Sequence, residues 1–197
     1  MSIPANTKDK PVTPKPSRLE AWLEEEVRIK DRLVNGAGFG VARPDQVAGK
    51  TGLALMQAML QGEIPAATIA MTLDFLLVEV SPGIAVFQGT PGAGHLNPLG
   101  TVHGGWYATL LDSALGCAVH TMMPAGRGYT TAELSVNLVR SIPLAVHRVR
   151  AEGKVIHCGR QLATAEARLT GPDGTLYAHA TTTCLVFELP KPGFAAP

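Results

Sequence analysis

A single long stretch of small and apolar residues, roughly Val102 to Thr121, reads as a helix that is apolar nearly all round, and strand-like segments flank it on both sides. Before it come Ala67 to Glu79 and Ile84 to Gly89, with Ser81-Pro82-Gly83 as the turn between them. After it, Pro124-Ala125-Gly126 stops the helix, and four runs follow: Tyr129 to Arg140, Val146 to His157, Gln161 to Thr170 and Leu176 to Leu189. Pro172-Asp173-Gly174 predicts a hairpin turn, and His157-Cys158-Gly159 reads as another tight turn. One apolar helix with so many strands implies an antiparallel sheet wrapped around it, an α+β architecture. The alternation from Thr131 to Leu138 suits a sheet with one face packed on that helix.

The chain of 197 residues has room for one domain and an extension. Residues 1–50 read as an N-terminal tail and an amphipathic helix, 51–190 as the main domain and 191–197 as a C-terminal tail. Pro4, Pro11, Pro14 and Pro16 make 1–17 extended. From Arg18 to Val34, Leu19, Trp22, Leu23, Val27, Leu33 and Val34 recur at a near-helical period, with Ser17 as N-cap, Glu20 completing a capping box and Asn35-Gly36 closing the helix. Its other face, with Glu24, Glu25, Arg28, Lys30, Asp31 and Arg32, reads as solvated. A second short helix fits Thr51 to Gln61, ended by Gly62.

Thirteen of the charged residues lie before Val34, so the body is poor in charge, and a surface of that kind predicts an oligomer. A net charge of +1 excludes an electrostatic footprint for nucleic acid or an anionic membrane. Met1 to Pro16 lacks the apolar core of a signal peptide, and the apolar window Ile64 to Val80 is too short to span a bilayer. Cys117, Cys158 and Cys184 form no metal-binding pattern and read as reduced thiols, which places the chain in the cytoplasm.

Between Glu79 and Glu133 the only carboxylate is Asp112, set in the middle of the apolar helix. Such a group is costly to bury and needs either a structural partner or a chemical role. At the start of the same helix stand His103, Gly104 and Gly105. Free N–H groups at a helix N-terminus can polarise a carbonyl oxygen that gains charge. Gly104 and Asp112 are eight residues apart, about 12 Å along a helix, so one small reacting group reaches both only if two copies of the helix lie side by side. The site would then straddle a dimer interface. Gly-x-Ser-x-Gly, HExxH and GxGxxG are absent.

The run His95-Leu96-Asn97-Pro98-Leu99-Gly100-Thr101-Val102-His103-Gly104-Gly105, followed by Leu111-Asp112-Ser113-Ala114-Leu115-Gly116, resembles the hotdog-fold acyl-CoA thioesterases. It looks most like their PaaI-type branch, related to the 4-hydroxybenzoyl-CoA thioesterases. The likeness spans about Leu53 to Glu188. It implies that the Gly104 N–H polarises the thioester carbonyl with Asn97 beside it, and that Asp112 of the facing subunit is general base or nucleophile. Thr131, or else Thr130, would hold the attacking water, and His103 would lie near the sulfur or pin the loop. The family uses no metal and no redox cofactor, the acyl-CoA being the substrate of a homodimer or dimer of dimers.

For the coenzyme A arm the candidate cations are Arg127, Arg140, Arg148, Arg150, Lys154 and Arg160, with Arg160 foremost. Gly105 would lie against the substrate, and Leu96, Leu99, Trp106, Leu110 and Leu111 would line the acyl pocket or serve as core. Two rivals share the fold: a non-catalytic acyl-CoA binding module, and a hydratase or dehydratase.

Overall fold

The computed structural model describes residues 16–189. The tails expected within 1–15 and over 191–197 lie outside the described residues. Helices α1 (Arg18–Asn35), α2 (Pro44–Val47), α3 (Gly52–Leu60) and α4 (Thr68–Thr72) precede strands β1 (Phe75–Ser81) and β2 (Ile84–Gly89). The long helix α5 (Gly104–Thr121) follows, then β3 (Arg127–Leu138), β4 (Val149–Cys158), β5 (Leu162–Thr170) and β6 (Leu176–Glu188). The strands form one antiparallel sheet in the order β1-β2-β4-β5-β6-β3, and α5 touches all six. This is the α+β, sheet-around-helix arrangement of the hotdog fold.

The sheet can close around α5 because both surfaces are small. Leu110, Leu111, Ala114, Leu115, Ala118 and Val119 are completely buried, facing Ala151, Ala163, Ala165 and Ala178 of the sheet. A helix buried nearly all round carries little amphipathic signal, which explains its uniformly apolar sequence. At the closest approach, a Cβ on Gly153 would sit 2.2 Å from the Ala114 carbonyl oxygen, so only glycine lets β4 touch the helix backbone there.

Strand β1 is buried without alternation over Phe75–Val78 because both of its faces are covered. Phe75 and Leu77 belong to the main core; Leu76 and Val78 join Val86, Ala66, Ile29 and Leu33 in a second core under α1. The capping box at Ser17 and Glu20 forms, the two reciprocal hydrogen bonds measuring 2.6 and 3.3 Å.

Three expectations need correction. Residues 67–79 are not one strand: Thr68–Thr72 coil into α4, whose Ala70 is buried, and Asp74 at φ +47 turns the chain before β1. The β-branched residues there yield to tertiary packing. His157 and Cys158 belong to β4, and the reversal comes at Gly159–Gln161, closed by Gly159 N–H donating to the Leu162 carbonyl. The face of α1 that packs runs through Glu26, Ile29 and Leu33, while Val27 and Val34 are exposed.

The face of α1 expected to be solvated is largely exposed, with Glu25 half-buried, while the packed face carries a charged cluster around Glu26. Glu26, 5% exposed, pairs with Arg148 and with Lys30 at 2.6 Å, and accepts from Gln88 Nε2 at 2.7 Å. Arg150 donates to Gln88 and to Glu25 at 2.9 and 2.5 Å, and lies 4.5 Å from the Trp22 ring centre. Burial alone would raise the Glu26 carboxyl; the bonds from Arg148 and Lys30 outweigh it and hold the group at about 2.

Candidate active site

Asp112 sits midway along α5 and is half-buried. Thr131 on β3 donates its hydroxyl to Asp112 Oδ1 at 3.2 Å, so the two residues singled out for the water and its base are brought together. Thr130 is exposed, and alternation along the strand turns it to the opposite face, away from Asp112. Asp112 and Thr131 line a cavity of about 230 Å³ walled mostly by apolar side chains, among them Ile29, Leu33, Met59, Phe75 and Phe87, with Tyr129 and Cys117 also lining it.

The other polar groups of that cavity are poor candidates for acid–base work. Burial, aided by the Asp112 charge, pushes the Cys117 thiol up to about 12. Burial likewise raises the Tyr129 phenol well above its ordinary value, and Gly116 makes room for that ring: a Cβ there would lie 2.8 Å from Tyr129 Oη. Ser113 gives its hydroxyl to the Thr109 carbonyl at 2.8 Å. Among the described residues, Asp112 is the only carboxylate lining that cavity.

The start of α5 is built separately. His103 is the N-cap, its Nδ1 accepting from Gly105 N–H at 2.9 Å, so that nitrogen is committed to the helix end. With Gly105 N–H taken, Gly104 N–H is the first-turn donor without a partner among the described residues. Gly104 lines a shallow cavity of about 300 Å³ shared with Asn97, Thr101, Tyr107 and Arg140. Asn97 organises that rim through its side-chain hydrogen bonds. Its Oδ1 accepts from Leu99 N–H and Thr101 N–H at 2.9 and 3.2 Å, and its Nδ2 donates to Thr101 Oγ1 at 2.8 Å. Leu96, His103 and Gly105 line a third cavity, with His95 stacked on Trp106 beside it.

Gly104 and Asp112 therefore line different cavities of one chain, as their eight-residue offset requires. The acyl-lining candidates divide: Trp106, Leu110 and Leu111 are core, Leu96 is half-buried at a cavity, and Leu99 is 89% exposed. Among the cations, Arg148 and Arg150 are spent on the α1 cluster, and Arg160 lines neither the Asp112 nor the Gly104 cavity. Arg140 is the one that shares a cavity with Gly104. Sequence reasoning missed Ile29 as a wall residue, although Trp22, Glu26, Ile29 and Leu33 fall on one helical stripe; the glutamate in that stripe concealed it. No group of three or more His, Cys, Asp or Glu side chains placed to hold a metal, and no helix long and apolar enough to cross a membrane, occurs among the described residues.

The family model of the thioesterase superfamily matches residues 99–178, which include Gly104, Asp112 and Thr131. No curated protein matches the chain significantly. Solved structures do. The phenylacetic acid degradation-related protein of Ralstonia eutropha is 27% identical, with a TM-score of 0.61 over 66% of this chain and 98% of its own. A mutant of the phenylacetic acid degradation protein PaaI from Thermus thermophilus is 28% identical, with a TM-score of 0.54 over 60% and 97%. A hypothetical thioesterase protein of Streptococcus pneumoniae with coenzyme A, 24% identical and with a TM-score of 0.53 over 59% of this chain and 88% of its own, shares the fold. The resemblance to the PaaI-type hotdog thioesterases read in the sequence is borne out, and the matches support a thioesterase.

Proposed function

We propose that this protein hydrolyses acyl-CoA thioesters to a free acid and coenzyme A, in a site assembled from two copies of the chain. The observation that carries the reading is Asp112 hydrogen-bonded to Thr131 in a mostly apolar cavity. A thioester carbonyl is a good electrophile and a thiolate leaves readily, so one carboxylate and one oxyanion donor suffice.

The acyl group enters the Asp112 cavity of one subunit while its carbonyl oxygen accepts from Gly104 N–H of the facing subunit. Water held by Thr131 gives its proton to Asp112 and attacks the carbonyl carbon; alternatively the carboxylate itself attacks and the anhydride is then hydrolysed. Either route ends with the carbon–sulfur bond broken and the proton delivered to the acid–thiol pair. His103 keeps the Gly104 donor aimed by capping the helix, and Asn97 holds the loop that frames it. Gly105 and Leu96 meet the pantetheine arm, and Arg140 is better placed than Arg160 for a phosphate. The reaction asks for no cofactor, coenzyme A being part of the substrate. The long, largely exposed edge strand β3 and the charge-poor body favour a homodimer, or a dimer of dimers. The three free cysteines favour the cytoplasm.

The test is thiol release from a panel of short, aromatic, medium and long acyl-CoA esters. We expect turnover of at least one class; a flat response across all of them, with acyl-CoA still bound, overturns hydrolysis in favour of a binding module.

A further inference from the structure

The cavity beside Asp112 is closed in part by helix α1, near the start of the chain. The family match begins at residue 99, and the matched structures account for 66% and 60% of this chain but nearly all of their own. Helix α1 lies upstream of the match, yet its Ile29 and Leu33, 3% and 4% exposed, line the Asp112 cavity together with Met59 and Phe75. That wall is fixed in place. One turn before Ile29, Glu26 is held by Arg148, Lys30 and Gln88, and Glu25 by Arg150, so α1 is anchored to β2 and β4 by charge as well as by apolar contact.

We propose that α1 sets the upper length of the acyl group, with Ile29 and Leu33 as the wall the chain meets. This deepens the thioesterase reading and rests on it. A cavity of 150 Å³ lined by Leu, Ile and Phe accepts benzene, so one of about 230 Å³ has room for an acyl group of about nine carbons. The preferred class is short- to medium-chain acyl thioesters, and long fatty acyl chains are refused. A rigid apolar wall discriminates well, since one methylene too many or too few is worth a factor of about ten or more.

The experiment is the profile of kcat/KM over acetyl-, hexanoyl-, octanoyl-, dodecanoyl- and palmitoyl-CoA. The wild type should peak at hexanoyl or octanoyl and fall at dodecanoyl. Leu33→Ala and Ile29→Ala should raise the dodecanoyl-to-octanoyl ratio by about tenfold or more, and Leu33→Phe should lower it and favour shorter chains. Val27→Ala, on the exposed face of the same helix, should leave the ratio where it was. A uniform loss at every length, or a ratio that moves in neither direction, overturns the wall. Should no ester release thiol, hydrolysis fails but the wall is still decided. Calorimetric affinities for unreactive S-alkyl-CoA thioethers of the same lengths must then shift with Leu33→Ala and Leu33→Phe as the ratios would have, and unshifted affinities overturn it.

Discussion

A carboxylate in the middle of an apolar helix calls for something to compensate it, and among the described residues Asp112 has a single hydrogen bond, from Thr131. None of the ion pairs among the described residues includes it. A structural aspartate would be expected to collect backbone donors or a cation. Asp112 instead keeps lone pairs free toward a cavity whose thiol and phenol are both held protonated. Asp112→Asn, which keeps the shape and the hydrogen bond to Thr131 within reach, should lower kcat by about 10² to 10⁴ with the fold intact by circular dichroism. Thr131→Val should cost less, roughly tenfold, since it removes one hydrogen bond to the water and leaves the base in place. Activity within a factor of about three of wild type in the Asn variant would remove Asp112 from the chemistry.

At the scale of elements, α1 behaves as a strap whose buckle is Glu26. The folded carboxyl titrates at about 2 against an ordinary value of 4.5, so the unfolded chain takes up the proton first as pH falls. Its contribution is fully present above about pH 4.5 and is lost progressively toward pH 2, amounting to about 3 kcal/mol at most for a shift of this size. Urea midpoints measured from pH 6 down to pH 3 should therefore decline, and in Glu26→Gln the decline should be shallower from a lower starting point. An equally steep decline in that variant would show that other carboxylates govern the acid limb. This buckle also marks where the sequence stops being legible. Short-range signals were readable: the Ser17–Glu20 capping box, the Ser81-Pro82-Gly83 turn, strand β2 and the apolar run of α5 each lie within one segment. Glu26 meets Gln88 and Arg148 at separations of 62 and 122 residues, which no local pattern encodes. The same limit applies to α4, where packing overrode β-branched residues, and to Arg160, whose turn lies away from both cavities. In the site, the Asp112–Thr131 pair followed from the resemblance, but Ile29 and Arg140 came into view only with the tertiary arrangement.

At the scale of the molecule, the separation of Gly104 from Asp112 decides how many chains make one site. They lie in different cavities eight residues apart on one helix, and no side-chain motion closes about 12 Å. Two antiparallel copies of α5 would place each glycine amide opposite the other chain's carboxylate, giving two equivalent sites per symmetric dimer. Gly104→Pro removes the donor while respecting the helix, because proline is welcome at the first helical position and His103 before it is already extended at φ −65, ψ 137. Homodimers of Gly104→Pro lack both donors, and homodimers of Asp112→Asn lack both carboxylates. A hybrid of the two retains one complete site: the glycine of the Asn chain and the aspartate of the Pro chain. After equimolar mixing and subunit exchange, half the dimers are hybrids with one good site of two, so about a quarter of wild-type activity should return. Exchange verified with differently tagged chains, but with activity remaining at the level of the parents, would mean that each chain completes its own site and that this amide and this carboxylate never share a thioester.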